Sequence, residues 1–100
     1  MSHPQHMAAL AEANRIRFAR ADLKRDIRTG LVTLAEAFEH PDVGSMPALN
    51  LLKAQWRWGD MRARRTMRYL MMSEGRAVCS LTDRQKRALV QACEGMGRAA

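Results

Sequence analysis

Apolar residues recur at helical spacing through residues 5–29. Ile16, Leu23 and Ile27 stand at i, i+7 and i+11, and Ala9 and Ala13 continue the stripe. No proline or glycine breaks the run. Pro4 suits a first turn and Gly30 the position just past the end, so the spacing predicts one long helix. Met7, Leu10 and Phe18 form a weaker apolar patch on its far side, fit to pack under a loop or to meet another chain. Thr33-Leu34-Ala35-Glu36 reads as a capping box, in which threonine and glutamate each satisfy the other's backbone N–H. It opens a short helix to about Glu39 or His40, with Val32, Leu34, Ala37 and Phe38 as its apolar contacts. Pro41 and Gly44 close it.

Ser45 is the expected N-cap of a third helix, with Pro47 in its first turn. Met46, Leu49, Leu51 and Leu52 bury, and the helix ends near Gln55. Trp56-Arg57-Trp58-Gly59 has poor helical continuity, and Gly59 is the expected positive-φ residue. Asp60 then caps a helix from Met61 to about Met72, with Ala63, Met67, Leu70 and Met71 as its buried face. Ser73-Glu74-Gly75 is a turn, and residues 76–81 form a connector of extended character. A second capping box, Thr82 with Gln85, starts the last helix, which runs to about Glu94. Leu81, Ala88, Leu89 and Ala92 bury, and Gly95 to Ala100 is read as a frayed tail. The chain is therefore all-α and one domain over residues 1–100. The long helix occupies 5–30, a compact helical region 31–94 and a tail 95–100.

Composition narrows the chemistry. One hundred residues leave room for one core, and a 47% hydrophobic share is that of a globular chain. Aromatic residues are scarce and the eight methionines must fill gaps, which predicts modest stability and some plasticity. A formal net charge of +7 at pH 7 points to a polyanion, nucleic acid before an anionic membrane surface. The N-terminal residues lack a basic stretch followed by an apolar run, and no segment approaches a membrane span, so a cytoplasmic protein is expected. Cys79 and Cys93 form no CxxC pair and are expected to be reduced and buried. His3, His6 and His40 have no ligand-like partners, so no metal or other cofactor is expected. No nucleophile stands beside a base and no Gly-rich nucleotide loop is present, so the reading is not an enzyme.

The basic residues cluster around the turn at residues 56–60. Arg57 precedes Trp58 and Gly59, and Arg62, Arg64, Arg65 and Arg68 follow on the next helix. A helix amino end carries unpaired N–H groups and attracts phosphate. Trp56 and Trp58 have the chemistry to stack on bases, although with so few aromatics at least one belongs in the core. A second basic set, Arg17, Lys24 and Arg28 with Arg20 between, lines the long helix. Asp22 and Asp26 lie on another side, within reach of Arg15.

The order Leu51-Leu52, Trp58-Gly59, Arg62-Ala63-Arg64, Met67, Leu70 and then Leu81-Thr82-Asp83-Arg84-Gln85-Lys86-Arg87-Ala88-Leu89 resembles the integration host factor family of actinobacteria and their phages. The long first helix with Lys24 near its middle and a glycine at its end matches as well. The resemblance runs from about Ala8 to Cys93. It implies a long helix ahead of a helix–two-turn–helix DNA-binding domain, like that of a small-subunit ribosomal protein. It also implies a nucleoid-associated role and assistance to phage integrase recombination. The family's turn is Pro-Gly-hydrophobic-Gly. Here Trp56 stands for the proline and Arg57 for the first glycine, and Asp60 takes a place that is commonly basic. No long N-terminal extension of the kind that some members carry is expected. Arg57 is expected to compensate for the lost glycine with its guanidinium.

These readings combine in a monomeric, architectural DNA-binding protein that grips duplex DNA through phosphates with low sequence specificity. The expected contacts are Arg57, Trp58, Gly59, Arg62, Arg64, Arg65, Arg68, Arg76, Arg84 and Arg87. Arg17, Lys24 and Arg28 would supply a second DNA surface. The alternatives are an RNA-binding module and a protein-interaction module that blocks or redirects a host protein through Met7, Leu10 and Phe18.

Overall fold

A computed structural model describes residues 4–99, with side-chain surroundings for residues 7–94. His3 and the side chain of His6 lie outside the described residues. Among the described residues there are five α-helices and one short 3-10 turn. They are α1 (Pro4–Thr29), α2 (Leu34–Phe38), α3 (Ala48–Ala54), α4 (Asp60–Tyr69), the 3-10 turn Val78–Ser80, and α5 (Asp83–Ala99). The last helix thus continues past the expected stop at Glu94.

At 1.5 Å per residue, α1 is roughly 39 Å long, in a molecule whose greatest extent is 56 Å. The other helices before α5 have 5 to 10 residues and are too short to cover it. Only its second half enters the core, through Leu23 and Ile27, with Ile16 partly covered. Ala9 and Ala13 were expected on the buried stripe, but every residue from 7 to 15 is exposed. The exposed half carries Met7, Leu10 and Phe18.

Polar clamps fasten α1 to the loop after α2. Arg15 donates to both carboxylate oxygens of Asp42, at 3.1 and 3.0 Å, and also pairs with Glu12. Arg20 donates to the Asp42 carbonyl at 2.7 Å and to Ser45 Oγ at 2.8 Å. Ser45 is therefore a loop anchor. The residue that caps α3 is Pro47, whose fixed extended backbone starts the helix without a side-chain bond. Asp22 pairs with its own helix neighbour Arg25 and leaves Arg15 to the loop.

Both capping boxes form as expected. Thr33 Oγ1 accepts from Glu36 N and the Glu36 carboxylate accepts from Thr33 N. Thr82 and Gln85 exchange the same pair of bonds. Between them the connector doubles back along the entry to α3. Ala48 N donates to Arg76 O, Val78 N to Met46 O and Cys79 N to Gly44 O, so the connector is extended at Ala77, turns through Val78–Ser80 and is extended again at Leu81. Cys79 emerges exposed, contrary to expectation. Cys93 is buried, and burial pushes its thiol pKa up to about 11.

Leu51 and Leu52 on α3 lie at the centre, fully buried, between α1 and α4. Ala37 and Phe38 of α2, Ala63 and Met67 of α4 and Leu89 of α5 close around them. Truncating either leucine to alanine is expected to cost about 2–5 kcal/mol. The face expected on α4 includes Met71, yet that residue is 94% exposed. The helix stops at Tyr69, Met71 turns left-handed (φ 57°), and Met72 N bonds back to Met67 O at 2.9 Å. This is the Schellman ending, which swings Met71 outward and brings Met72 into the core.

Candidate nucleic-acid interface

The turn between α3 and α4 sets the site. Gln55 ends α3, and Trp58 N donates to Gln55 O at 3.0 Å, closing a four-residue turn with Trp56 and Arg57 at its centre. Arg57 has φ 63°. The arrangement follows a type II turn, in which the first central position favours proline and the second, at positive φ, favours glycine. Gly59 is extended instead (φ −84°, ψ 170°) and caps α4 with no side chain. The expectation of positive φ at Gly59 is thus corrected: that conformation falls two residues earlier, on an arginine.

The turn sends its tryptophans in opposite directions. Trp58 is only 9% exposed and joins the core, with the Arg62 guanidinium 4.4 Å above its ring. It fixes the turn from inside. Trp56 is 62% exposed, with the Arg57 guanidinium 4.3 Å from its ring centre.

Beside Trp56 a shallow groove of about 690 Å³ opens between α1 and the turn. Lys24, Arg25 and Arg28 line one wall, Asn50 and Lys53 come from α3, and Arg57 comes from the turn. Two basic sets that are 29 to 33 residues apart in sequence, Lys24 and Arg28 against Arg57, therefore share one groove. Lys24 and Arg28 make no ion pair or hydrogen bond among the described residues, so their charge is available. Arg25 is held by Asp22 at 2.9 Å and Lys53 by Asp60 at 3.2 Å.

No family model matches the chain. The integration host factor of Mycobacterium tuberculosis is 30% identical over 95 residues, covering 91% of this chain and 90% of that relative. This chain is a member of the integration host factor family. A solved structure of sIHF bound to an 8 bp palindromic DNA matches with a TM-score of 0.76 and 28% identity, over 82% of this chain and 97% of the other.

At the two central turn positions, where the resemblance implies Pro-Gly, this chain has Trp56-Arg57. The backbone takes a left-handed step at Arg57, a non-glycine residue, where such a step costs about 1–2 kcal/mol. Asp60, at the place expected to be basic, is the first residue of α4. Its carboxylate accepts from Arg64 Nε at 2.6 Å and pairs with Lys53. These bonds, Arg64 first, hold the Asp60 pKa below the usual carboxylate range and raise that of Arg64. Asp60 makes no side-chain cap bond, so the expected cap is in fact a charge partner.

The remaining expected contacts divide. Arg64 is also bound by Glu74 at 2.6 Å, and Arg68 lies 3.8 Å from the same carboxylate. Arg65 is exposed with no partner among the described residues. Arg76 donates to the Ser80 carbonyl at 2.9 Å while its Nε is buried unpaired, so it holds the connector. Arg87 lines a separate groove between α2 and α5, and Arg84 is exposed at the start of α5. Arg17 is exposed on α1, about 10 Å along the axis from Lys24. Lys53 and Asn50 were missed from sequence. The available signal was Lys53 four residues before Arg57, on the last turn of the helix that leads into it. Among the described residues no group of three or more His, Cys, Asp or Glu could hold a metal, and no helix is long and apolar enough to cross a membrane.

Proposed function

We propose that the protein is an architectural, nucleoid-associated factor that binds double-stranded DNA mainly through its phosphates. The observation that carries this reading is the cationic groove of Lys24, Arg28, Lys53 and Arg57, in a chain of the family whose solved relative holds DNA. Lys24, Arg28 and Arg57, which have no carboxylate partner among the described residues, exchange condensed counterions for phosphate contacts. Base-edge readers are few here, Asn50 being the polar amide of the groove wall beside Gln55, so affinity is expected to outrun sequence preference. Arg17 extends the cationic track along α1. Arg65, Arg84 and Arg87 supply further charge for a duplex that bends around the molecule, and assistance to a recombinase would use that bend.

The test is a titration of a labelled mixed-sequence duplex across a salt series. Phosphate contacts by the three groove cations without a carboxylate partner among the described residues, Lys24, Arg28 and Arg57, predict a log–log slope of roughly −2.7. Absence of binding at low salt would overturn the reading, and preference for structured RNA over the duplex in competition would replace it. A protein partner is favoured by one observation, the exposed Met7, Leu10 and Phe18 on the uncovered half of α1. Salt-insensitive capture of one protein, lost when those three are made polar, would establish that role.

A further inference from the structure

Trp56 stands between two grooves of opposite character. On one side is the cationic groove already described. On the other is an apolar groove of about 980 Å³, where Ile27, Val32, Leu34 and Val90 meet the two tryptophans. Its volume is in the upper part of the range of small-molecule sites, about 300–1,000 Å³. Arg28, Gln55, Trp56 and Trp58 line both grooves, so the two meet along the turn. The apolar side also carries the carboxylate of Glu94, which repels phosphate. It suits an uncharged, flat, apolar-faced group attached to an anionic strand lying in the cationic side.

We propose that Trp56 and the apolar groove beside it receive a single unstacked DNA base, so that the protein prefers duplexes carrying an unpaired nucleotide. This rests on the DNA-binding reading above and adds a ligand feature to it. Stacking on an exposed aromatic ring tolerates any base, because every base has a π-face. A base leaving a paired stack must first lose its neighbours, which costs least where it is already unpaired. Arg57 supports the ring from its own side by stacking on it, and the left-handed backbone at Arg57 keeps both groups on the outside of the turn. Strain retained at an exposed position beside a ring is expected where the geometry serves a ligand.

The experiment compares three labelled duplexes of one sequence: fully paired, with one extra unpaired nucleotide, and with an abasic residue in place of that nucleotide. Stacking of one base predicts that the unpaired nucleotide raises affinity about tenfold. The abasic duplex, equally bendable, should return to the fully paired value. 2-Aminopurine at the unpaired position should lose fluorescence on binding. Trp56→Phe should keep most of the preference, and Trp56→Leu should bring the affinity ratio to about one. Because Trp56 is largely exposed, neither change touches the core. Equal affinity for the three duplexes, or a preference that survives Trp56→Leu, overturns the inference and leaves the phosphate reading intact. Failure to bind any of the three overturns both.

Discussion

The two arginine-rich regions of this chain look alike in sequence and differ in what they offer to a ligand. On α4, the five residues 64–68 include three arginines, but Arg64 is clamped between Asp60 and Glu74, and Arg68 stands near Glu74. Just before them, Arg62 is spent on the ring of Trp58. In the groove between α1 and the turn the cations are sparser along the chain, yet Lys24 and Arg28 have no partner among the described residues. Charge density along a sequence therefore misjudges available charge. What counts is whether the fold brings a carboxylate to each cation, and here two acids, Asp60 and Glu74, decide it.

The largest effect is expected where charge is free. Lys24→Glu together with Arg28→Glu should weaken duplex binding about 100-fold near 0.1 M salt and flatten the log–log salt slope by about 1.8, since two phosphate contacts are removed. Arg64→Ala with Arg68→Ala removes as many arginines from α4 and should cost less than a tenth of that. If the α4 pair proved the more damaging in a filter-binding or anisotropy titration, the ranking of the two surfaces would be reversed.

Arg57→Gly sharpens the comparison because it separates binding from folding. Losing one phosphate contact should weaken duplex affinity about eightfold. Glycine at φ 63° relieves a left-handed penalty of about 1–2 kcal/mol and adds a backbone-entropy cost of about 0.5–1 kcal/mol. The net gain of roughly 0.5–1 kcal/mol should appear as a thermal midpoint several degrees higher. A variant that binds worse and melts higher would mark Arg57 as kept for function.

A smaller effect, of opposite sign, comes from releasing the clamped face. Asp60→Asn frees Lys53, while Glu74 still holds Arg64, and duplex affinity should rise about threefold, with a steeper salt slope. The same variant reports on acid stability. The folded Asp60 pKa lies below the ordinary 3.8, with Arg64 and then Lys53 as causes. Its contribution is therefore present above pH 3.8 and is lost as pH falls through the folded value. An acid titration of the Asn variant should lack that component, while the matching one from Asp42, depressed by Arg15, remains.

How far the chain could be read in advance follows the range of each interaction. Both capping boxes, the Gly30 ending (φ 84°) and the burial of Leu51 and Leu52 depend on neighbours within one or two turns, and they were visible as spacing. The split fate of Trp56 and Trp58 depends on which side of a turn faces α1, which local pattern does not encode. The turn itself was recognisable, but the family's proline and glycine places showed its conformation only once the Gln55–Trp58 bond placed φ 63° on Arg57. The groove was least visible. In the sequence Lys24 and Arg28 read as one surface and Arg57 as another, because their meeting is set by the packing of α1 against α3.

The smallest expected effect on binding supplies the control for Arg57. Met71 is the second non-glycine residue at positive φ (57°) among the described residues, at the end of the clamped helix. Its side chain is almost wholly exposed, and its backbone N–H bonds to Arg68 O at 2.9 Å whatever the side chain. Met71→Gly therefore relieves the same kind of penalty as Arg57→Gly without removing a cation or a core contact. Chemical denaturation should show a gain of roughly 0.5–1 kcal/mol, and duplex affinity should stay within twofold of the parent. Equal stabilisation with unequal binding would assign the strain at Arg57 to its ligand and the strain at Met71 to the helix ending alone. A loss of binding in Met71→Gly would instead extend the interface to the far end of α4, where Arg68 and Tyr69 would join it.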